Sequence, residues 1–220
     1  MIAILDTGGA NLASLQNAFD RIGAESKVSS DRAILDQASH LILPGVGHAK
    51  VAMEKLMQTD LVSYIQNTSR PLLGICLGMQ LLYSELDEGD AKGLGILPGH
   101  VEKLKSSQNF PVPHMGWTKL TTTTNADLSN FNFKKNDIEF DGSDNKSLLL
   151  NTISSDESFY FVHSYLTPMN DYVTSYVDSQ NSSSIPATLE FKNFFGTQFH
   201  PEKSGPAGEQ LLNNFLKINL

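Results

Sequence analysis

Cysteine occurs once in these 220 residues, at position 76, so no disulfide can form within the chain. That fits a reducing compartment, and a cytoplasmic protein is expected. Long apolar runs are also missing, and none approaches the roughly 18 residues needed to cross a bilayer. No cation precedes Arg21, so the apolar stretch Ile2 to Leu5 lacks the charged flank of a secretory leader. Cations are few overall: 16 Lys plus Arg stand against 24 Asp plus Glu, a net charge of −8. A surface of that sign repels phosphate backbones, and neither a nucleic-acid nor a membrane partner is expected. The six histidines show no CxxC, HxxxH or HExxH spacing, so no metal is expected. Neither G-x-x-x-x-G-K-[ST] nor G-x-G-x-x-G occurs, and no cofactor is expected.

What remains is an ordinary globular composition, with 40% apolar residues, consistent with one domain over residues 1–220. The first half alternates short apolar runs with helical periodicity. Ile2–Leu5, Leu41–Leu43 and Leu72–Ile75 read as buried strands closed by turn residues. Leu12, Leu15, Ala18, Phe19 and Ile22 recur at helical spacing, as do apolar residues between Ala52 and Ile65 and between Leu77 and Leu86. This pattern predicts an α/β fold: an open, mostly parallel sheet flanked by helices. The second half is richer in strands, at Phe159–Val162, Val173–Val177, Leu189–Phe191 and Phe194 onward, with a last helix from about Pro206 to Ile218. Residues 121–158 are dominated by Asn, Ser, Asp and Lys and read as a polar surface elaboration.

In such sheets, sites lie beyond the carboxyl ends of the strands, and three clusters sit there. Cys76, in Gly74-Ile75-Cys76-Leu77-Gly78, stands at a strand-to-helix junction like a nucleophile elbow. Equally, it reads as a small buried cysteine at a glycine-lined packing point. In His200-Pro201-Glu202 the proline discourages helix, and residues two apart in extended chain share a side. The pair then reads as a base with its orienting carboxylate, or as a surface loop. In Pro44-Gly45-Val46-Gly47 the glycines free a peptide N–H to face a cleft. Val46 N–H with Leu77 N–H would suit an oxyanion, and a plain turn is the alternative.

Taken together and in this order, the clusters resemble the class I, triad-type glutamine amidotransferases. Gly74-Ile75-Cys76-Leu77-Gly78-Met79-Gln80-Leu81-Leu82 and Gln198-Phe199-His200-Pro201-Glu202-Lys203 carry the resemblance. Asp6-Thr7-Gly8-Gly9-Ala10-Asn11-Leu12, Pro113-His114-Met115-Gly116-Trp117 and Phe159-Tyr160-Phe161-Val162-His163-Ser164-Tyr165 narrow it. They are similar to the glutaminase subunits of imidazole glycerol phosphate synthases, in histidine biosynthesis. Two departures stand out. Thr7 and Ala10 occupy positions where many members carry Tyr and Gly, and 121–158 is longer than the family usually needs.

The resemblance implies a catalytic triad of Cys76, His200 and Glu202, with Val46 and Leu77 backbone amides as the oxyanion hole. It implies glutamine binding by Gly47, Gln80, Glu88, His163, Ser164 and Tyr165. It implies a heterodimer with a (β/α)8 cyclase subunit that receives the ammonia, with Asn11, His114, Trp117, Tyr160 and Lys203 at or near the interface. An amidotransferase subunit feeding a different synthase and a free-standing cysteine hydrolase are the competing readings.

Overall fold

Ile2, Ile4, Ile42, Leu73 and Ile75 fall in one buried cluster, while Ala3, Leu5, Leu41, Leu43 and Leu72 fall in another. Strands with no polar face must be covered on both sides, and this alternation sets the layering. The computed structural model describes residues 1–9, 12–45, 47–106, 111–123, 147–178 and 184–219.

β1 (Ile2–Leu5) leads through α1 (Leu12–Arg21) to β2 (Ser26–Ser29), and α2 (Arg32–Leu35) leads to β3 (His40–Leu43). α3 (Ala49–Gln58) and α4 (Leu61–Asn67) precede β4 (Leu72–Ile75), which α5 (Leu77–Gln80) follows. Next come β5 (Tyr83–Leu86), β6 (Ala91–Lys92), β7 (Leu97–Lys103), β8 (His114–Lys119) and β9 (Thr121–Thr122). β10 (Ser158–His163), β11 (Tyr165–Leu166), β12 (Val173–Val177), β13 (Ile185–Phe191) and β14 (Phe194–Thr197) lead to a 3-10 turn, Pro201–Lys203, and to α6 (Gly205–Leu216).

Among the described residues the main sheet runs β2-β1-β3-β4-β14-β13-β12-β9. Pairing is parallel from β2 to β14 and antiparallel from there to β9. The α/β architecture expected from the sequence is thus present. α3 and α4 cover one face through Ala52, Met53, Leu56, Leu61 and Ile65. α1 and α6 cover the other through Leu15, Phe19, Leu211, Leu212 and Phe215. Burying a side chain such as Phe19 or Phe215 stabilises by about 1.5–3 kcal/mol. Beside the main sheet stand a β8–β10 ribbon and a β11-β7-β5-β6 sheet. Among the described residues no helix is long and apolar enough to cross a membrane.

The helix expected over Leu77–Leu86 is one turn, after which the chain becomes β5. All residues from Leu77 to Tyr83 are buried, and a run buried on every side carries no periodicity that separates helix from strand. The backbone is also claimed sideways. The Leu81 carbonyl accepts from Leu94 N–H, and the Leu82 carbonyl accepts from both Ile96 and Leu97 N–H.

The two ends of the 121–158 stretch are built into the fold, while its middle, 124–146, lies outside the described residues. Thr121–Thr122 forms the edge strand beside β12. At the returning end, the buried Glu190 carboxylate accepts from Ser147 Oγ at 2.6 Å and from Leu149 N–H at 3.0 Å. Asn214 Nδ2 donates to the Leu149 and Asn151 carbonyls.

Candidate active site

Parallel register places Thr197 of β14 beside Ile75 of β4. The two chain segments leaving these strands therefore run side by side, one carrying Cys76 and the other Gln198 and His200. Cys76 N–H donates to the Thr197 carbonyl at 2.6 Å, fastening them together. Cys76 has φ 51° and ψ −108°, a conformation that costs a non-glycine residue on the order of 1–3 kcal/mol. The turn is held in place by close approach of its neighbours. A Cβ on Gly78 would lie 1.9 Å from the Leu43 carbonyl oxygen, and one on Gly45 would lie 1.7 Å from the Ile75 carbonyl oxygen. The Gly45 loop thus abuts Leu77 N, at 2.6 Å from the same built Cβ. Val46, the other oxyanion candidate, lies outside the described residues, as does Asn11.

His200 Nδ1 meets Glu202 Oε1 at 2.8 Å, and both side chains are almost enclosed. The route to this contact differs from the extended one expected. His200 is extended, but Pro201–Lys203 is a 3-10 turn with the proline at its start, a position where its missing N–H costs nothing. The carboxylate comes back to the imidazole through the turn and not through strand alternation. Burial by itself would lower the His200 pKa, but hydrogen bonding to Cys76 and Glu202 and the negative charge of both outweigh it and raise it to about 10. Thiol, imidazole and carboxylate thus form a buried set suited to act as nucleophile, base and orienter, with the imidazole held in its protonated form.

Around the sulfur runs a chain of hydrogen bonds. Gln80 Nε2 donates to the Tyr165 carbonyl at 3.1 Å and to Gln198 Oε1 at 2.9 Å, and Gln198 Nε2 donates to Cys76 Sγ at 3.6 Å. His163 Nδ1 also meets the Tyr165 carbonyl, at 2.8 Å, and its Nε2 meets His114 Nδ1 at 3.1 Å. Burial, joined by the charges of His114 and His200, lowers the His163 pKa to about 4, so the ring is neutral. Burial raises the pKa of the Tyr165 hydroxyl, and the negative charges of Glu88 and Asp87 add to it. One Glu88 oxygen accepts Ala49 N–H at 2.7 Å at the start of α3. Gly47, at φ 106°, lies just before that helix. Gln80, His163 and Tyr165 are therefore brought together, while Glu88 stands at the start of α3. Ser164 links them to the outer sheet, its carbonyl accepting Leu104 N–H.

On the β8–β10 ribbon, Trp117 pairs with Tyr160. Their rings stand edge-to-face at 5.9 Å, and Lys203 Nζ lies 5.9 Å from the Tyr160 ring centre. Trp117 and Met115 are 59% and 60% exposed, an unusual display of large apolar side chains. His114 is not brought to this face. It alternates with Trp117 along the strand and packs against Phe161 and His163.

Two residues of the site were not anticipated. Gln198 is fully buried against the sulfur. Ser204 Oγ donates to the His200 carbonyl and accepts Tyr160 N–H, tying the base to the ribbon. Both stand within or beside a motif already singled out, but nothing in their spacing marks where their side chains point.

The family model for class-I glutamine amidotransferases matches residues 3–219. Imidazole glycerol phosphate synthase subunit HisH of Staphylococcus aureus is 39% identical over 218 residues, covering 99% of this chain and 97% of that protein. Subunit HisH 2 of Legionella pneumophila is 40% identical over 218 residues, covering 99% and 98%. Among solved structures, a putative GMP synthase subunit from Thermoplasma acidophilum superposes with a TM-score of 0.68 at 20% identity, covering 98% of this chain and 91% of that one. PurLQS from Thermotoga maritima superposes with a TM-score of 0.65 at 19% identity, covering 98% and 96%.

Proposed function

This chain belongs to the class-I glutamine amidotransferases, and from that membership we propose that it is the glutaminase subunit of an imidazole glycerol phosphate synthase. The observation that supports the reading most directly is the enclosed Cys76, His200 and Glu202 set on adjoining strand ends. The near full-length similarity to HisH subunits selects the histidine-pathway branch.

In this mechanism the Cys76 thiolate attacks the side-chain carboxamide carbon of glutamine. The oxyanion is held by Leu77 N–H and by the Val46 N–H, where loss of one donor typically costs about 10²–10³ in rate. His200 delivers its proton to the leaving nitrogen, and ammonia departs. A glutamyl thioester remains on Cys76. His200 then deprotonates water, which attacks the thioester, and glutamate leaves as the sulfur recovers its electron pair. Glu202 holds Nδ1–H of the imidazole throughout, fixing the tautomer and the ring plane. Gln80, Glu88, Tyr165 and the His163–Ser164 backbone grip the amino-acid end, with Gly47 lining the pocket. Glu88, in this role, faces the ammonium.

Ammonia protonates in water and loses its nucleophilicity, so its consumer must dock directly. The occupant is a (β/α)8 cyclase subunit, and the exposed Met115 and Trp117 with Tyr160 and Lys203 form the docking face. The compartment is the cytoplasm, and the whole chain acts as one domain. Glutamate release from glutamine tests the reading in three mixtures: the chain alone, with the cyclase subunit, and with the cyclase plus its nucleotide ligand. Stimulation by at least tenfold in the last is expected. Full turnover without a partner would make the chain a free-standing hydrolase.

A further inference from the structure

We infer that Gln198 is a positioning residue that keeps an N–H donor on the Cys76 sulfur, its orientation dictated through Gln80 by the Tyr165 carbonyl. The inference rests on Cys76 being the nucleophile, and its observations are geometric. A carboxamide has one donating and one accepting end, and swapping them reverses what a neighbour meets. The Tyr165 carbonyl can only accept, so the Gln80 end that lies 3.1 Å from it must be Nε2. That same nitrogen lies 2.9 Å from Gln198, which must therefore present Oε1 to it. The remaining end of Gln198, Nε2, is left facing Sγ at 3.6 Å. No alternative orientation satisfies all three contacts. Gln198 has no exposed surface, so water cannot replace either bond.

A fixed N–H beside sulfur stabilises the thiolate over the thiol and steadies the anion for attack. The other groups around the sulfur do not reproduce this. The Val162 carbonyl, 3.8 Å away, can only accept from the thiol. The titratable neighbours are His200, with Glu202 behind it, and His163 on the ribbon. His200 gives up its proton during the reaction, whereas Gln198 keeps its donor in place through both half-reactions.

Because Cys76 is the sole cysteine, iodoacetamide alkylation of the whole chain reads its thiolate directly, with no partner and no turnover. Gln198→Met removes both bonds at similar size, and the alkylation midpoint should rise by about one pH unit, a tenfold slower reaction below it. Gln198→Glu keeps the shape and the acceptor for Gln80 but sets a carboxylate against the sulfur, and should raise the midpoint further. A residue that merely fills space would leave Gln198→Met like wild type, because it would have no donor to lose. That result, or unchanged midpoints in both variants, overturns the inference. Should Gln198→Met fail to fold by circular dichroism, Gln80→Met releases the orientation from the other end and should raise the midpoint less, and no shift there overturns the inference too. If Cys76→Ala still releases glutamate at the wild-type rate, the catalytic reading fails on its own, and the alkylation result stands apart from it.

Discussion

Gln80 and His163 donate to one acceptor, the Tyr165 carbonyl oxygen, at 3.1 and 2.8 Å. The shared oxygen joins Gln80 to the ribbon, because His163 in turn accepts from His114. This arrangement needs a neutral His163: a second ring proton would turn its accepting nitrogen into a donor facing the Nδ1–H of His114.

Acid should therefore loosen the site. The His163 pKa falls to about 4 in the fold against 6.5 unfolded, so the unfolded chain takes up the proton first. The stabilisation is whole above pH 6.5, declines as pH falls, and is lost below about pH 4. Urea midpoints between pH 7 and 4.5 should fall for wild type and fall less for His163→Asn, which keeps a donor where Nδ1 stands.

The base should show the opposite sign. The His200 pKa is raised to about 10, so its contribution is complete below pH 6.5 and disappears as pH climbs through about 10. Glu202→Gln removes one of the groups that raise it. The stability gap between wild type and Glu202→Gln should be widest near pH 6 and close toward pH 10, in urea titrations at each pH. Glutamine turnover by the variant should drop by roughly 10²-fold or more.

The backbone of Cys76, at φ 51°, stores strain that a glycine would release. Cys76→Gly should be about 1 kcal/mol more stable than Cys76→Ala, a rise in Tm of roughly 2–4 °C. Both variants should release no glutamate, and ammonia-dependent synthesis by the proposed cyclase partner should survive in each. Differential scanning calorimetry and the two assays check this.

Gly45→Ala drives a methyl group into the Ile75 carbonyl and the Leu77 amide. Backbone cannot yield as a flexible side chain does, so destabilisation of about 1–3 kcal/mol is expected. Glutamine turnover should fall at least tenfold as the elbow shifts. A chain with wild-type kinetics would mean that the loop and the elbow move independently.

Away from the site, Glu190→Ala leaves the Ser147 hydroxyl and the Leu148 and Leu149 amides without their carboxylate. Hydrogen bonds to a charged group contribute about 1.5–3 kcal/mol, and a loss of about 3 kcal/mol is expected from urea denaturation. Turnover per folded molecule should stay within twofold of wild type.

The parallel half of the sheet and the placement of the proposed triad were legible because each depends on short-range pattern. β1 and β4 begin and end where their apolar runs do. Cys76 declares itself by glycines on both sides, and His200 by the proline and carboxylate that follow it. What stayed hidden depends on remote partners. β5 exists because residues 94–97 claim the Leu81 and Leu82 carbonyls. His114 faces inward because the register with β10 sets it opposite His163. Gln198 acquires its meaning from Gln80, 118 positions away. Leu149 sits in a polar stretch yet is fully buried, because Glu190 and Asn214 hold its backbone.

Strands β4 and β14 are neighbours in the sheet, yet Cys76 and His200 lie 124 positions apart. During synthesis the thiol emerges long before its base. A ribosome that stalls before β14 releases a product whose only cysteine has no imidazole to activate it, and whose β4 presents a bare edge of unpaired amides and carbonyls. On the proposed mechanism truncated chains should thus be inert toward glutamine, and their bare β4 edge should make them adhesive. On that same mechanism, amide hydrolysis must wait until translation has passed Glu202.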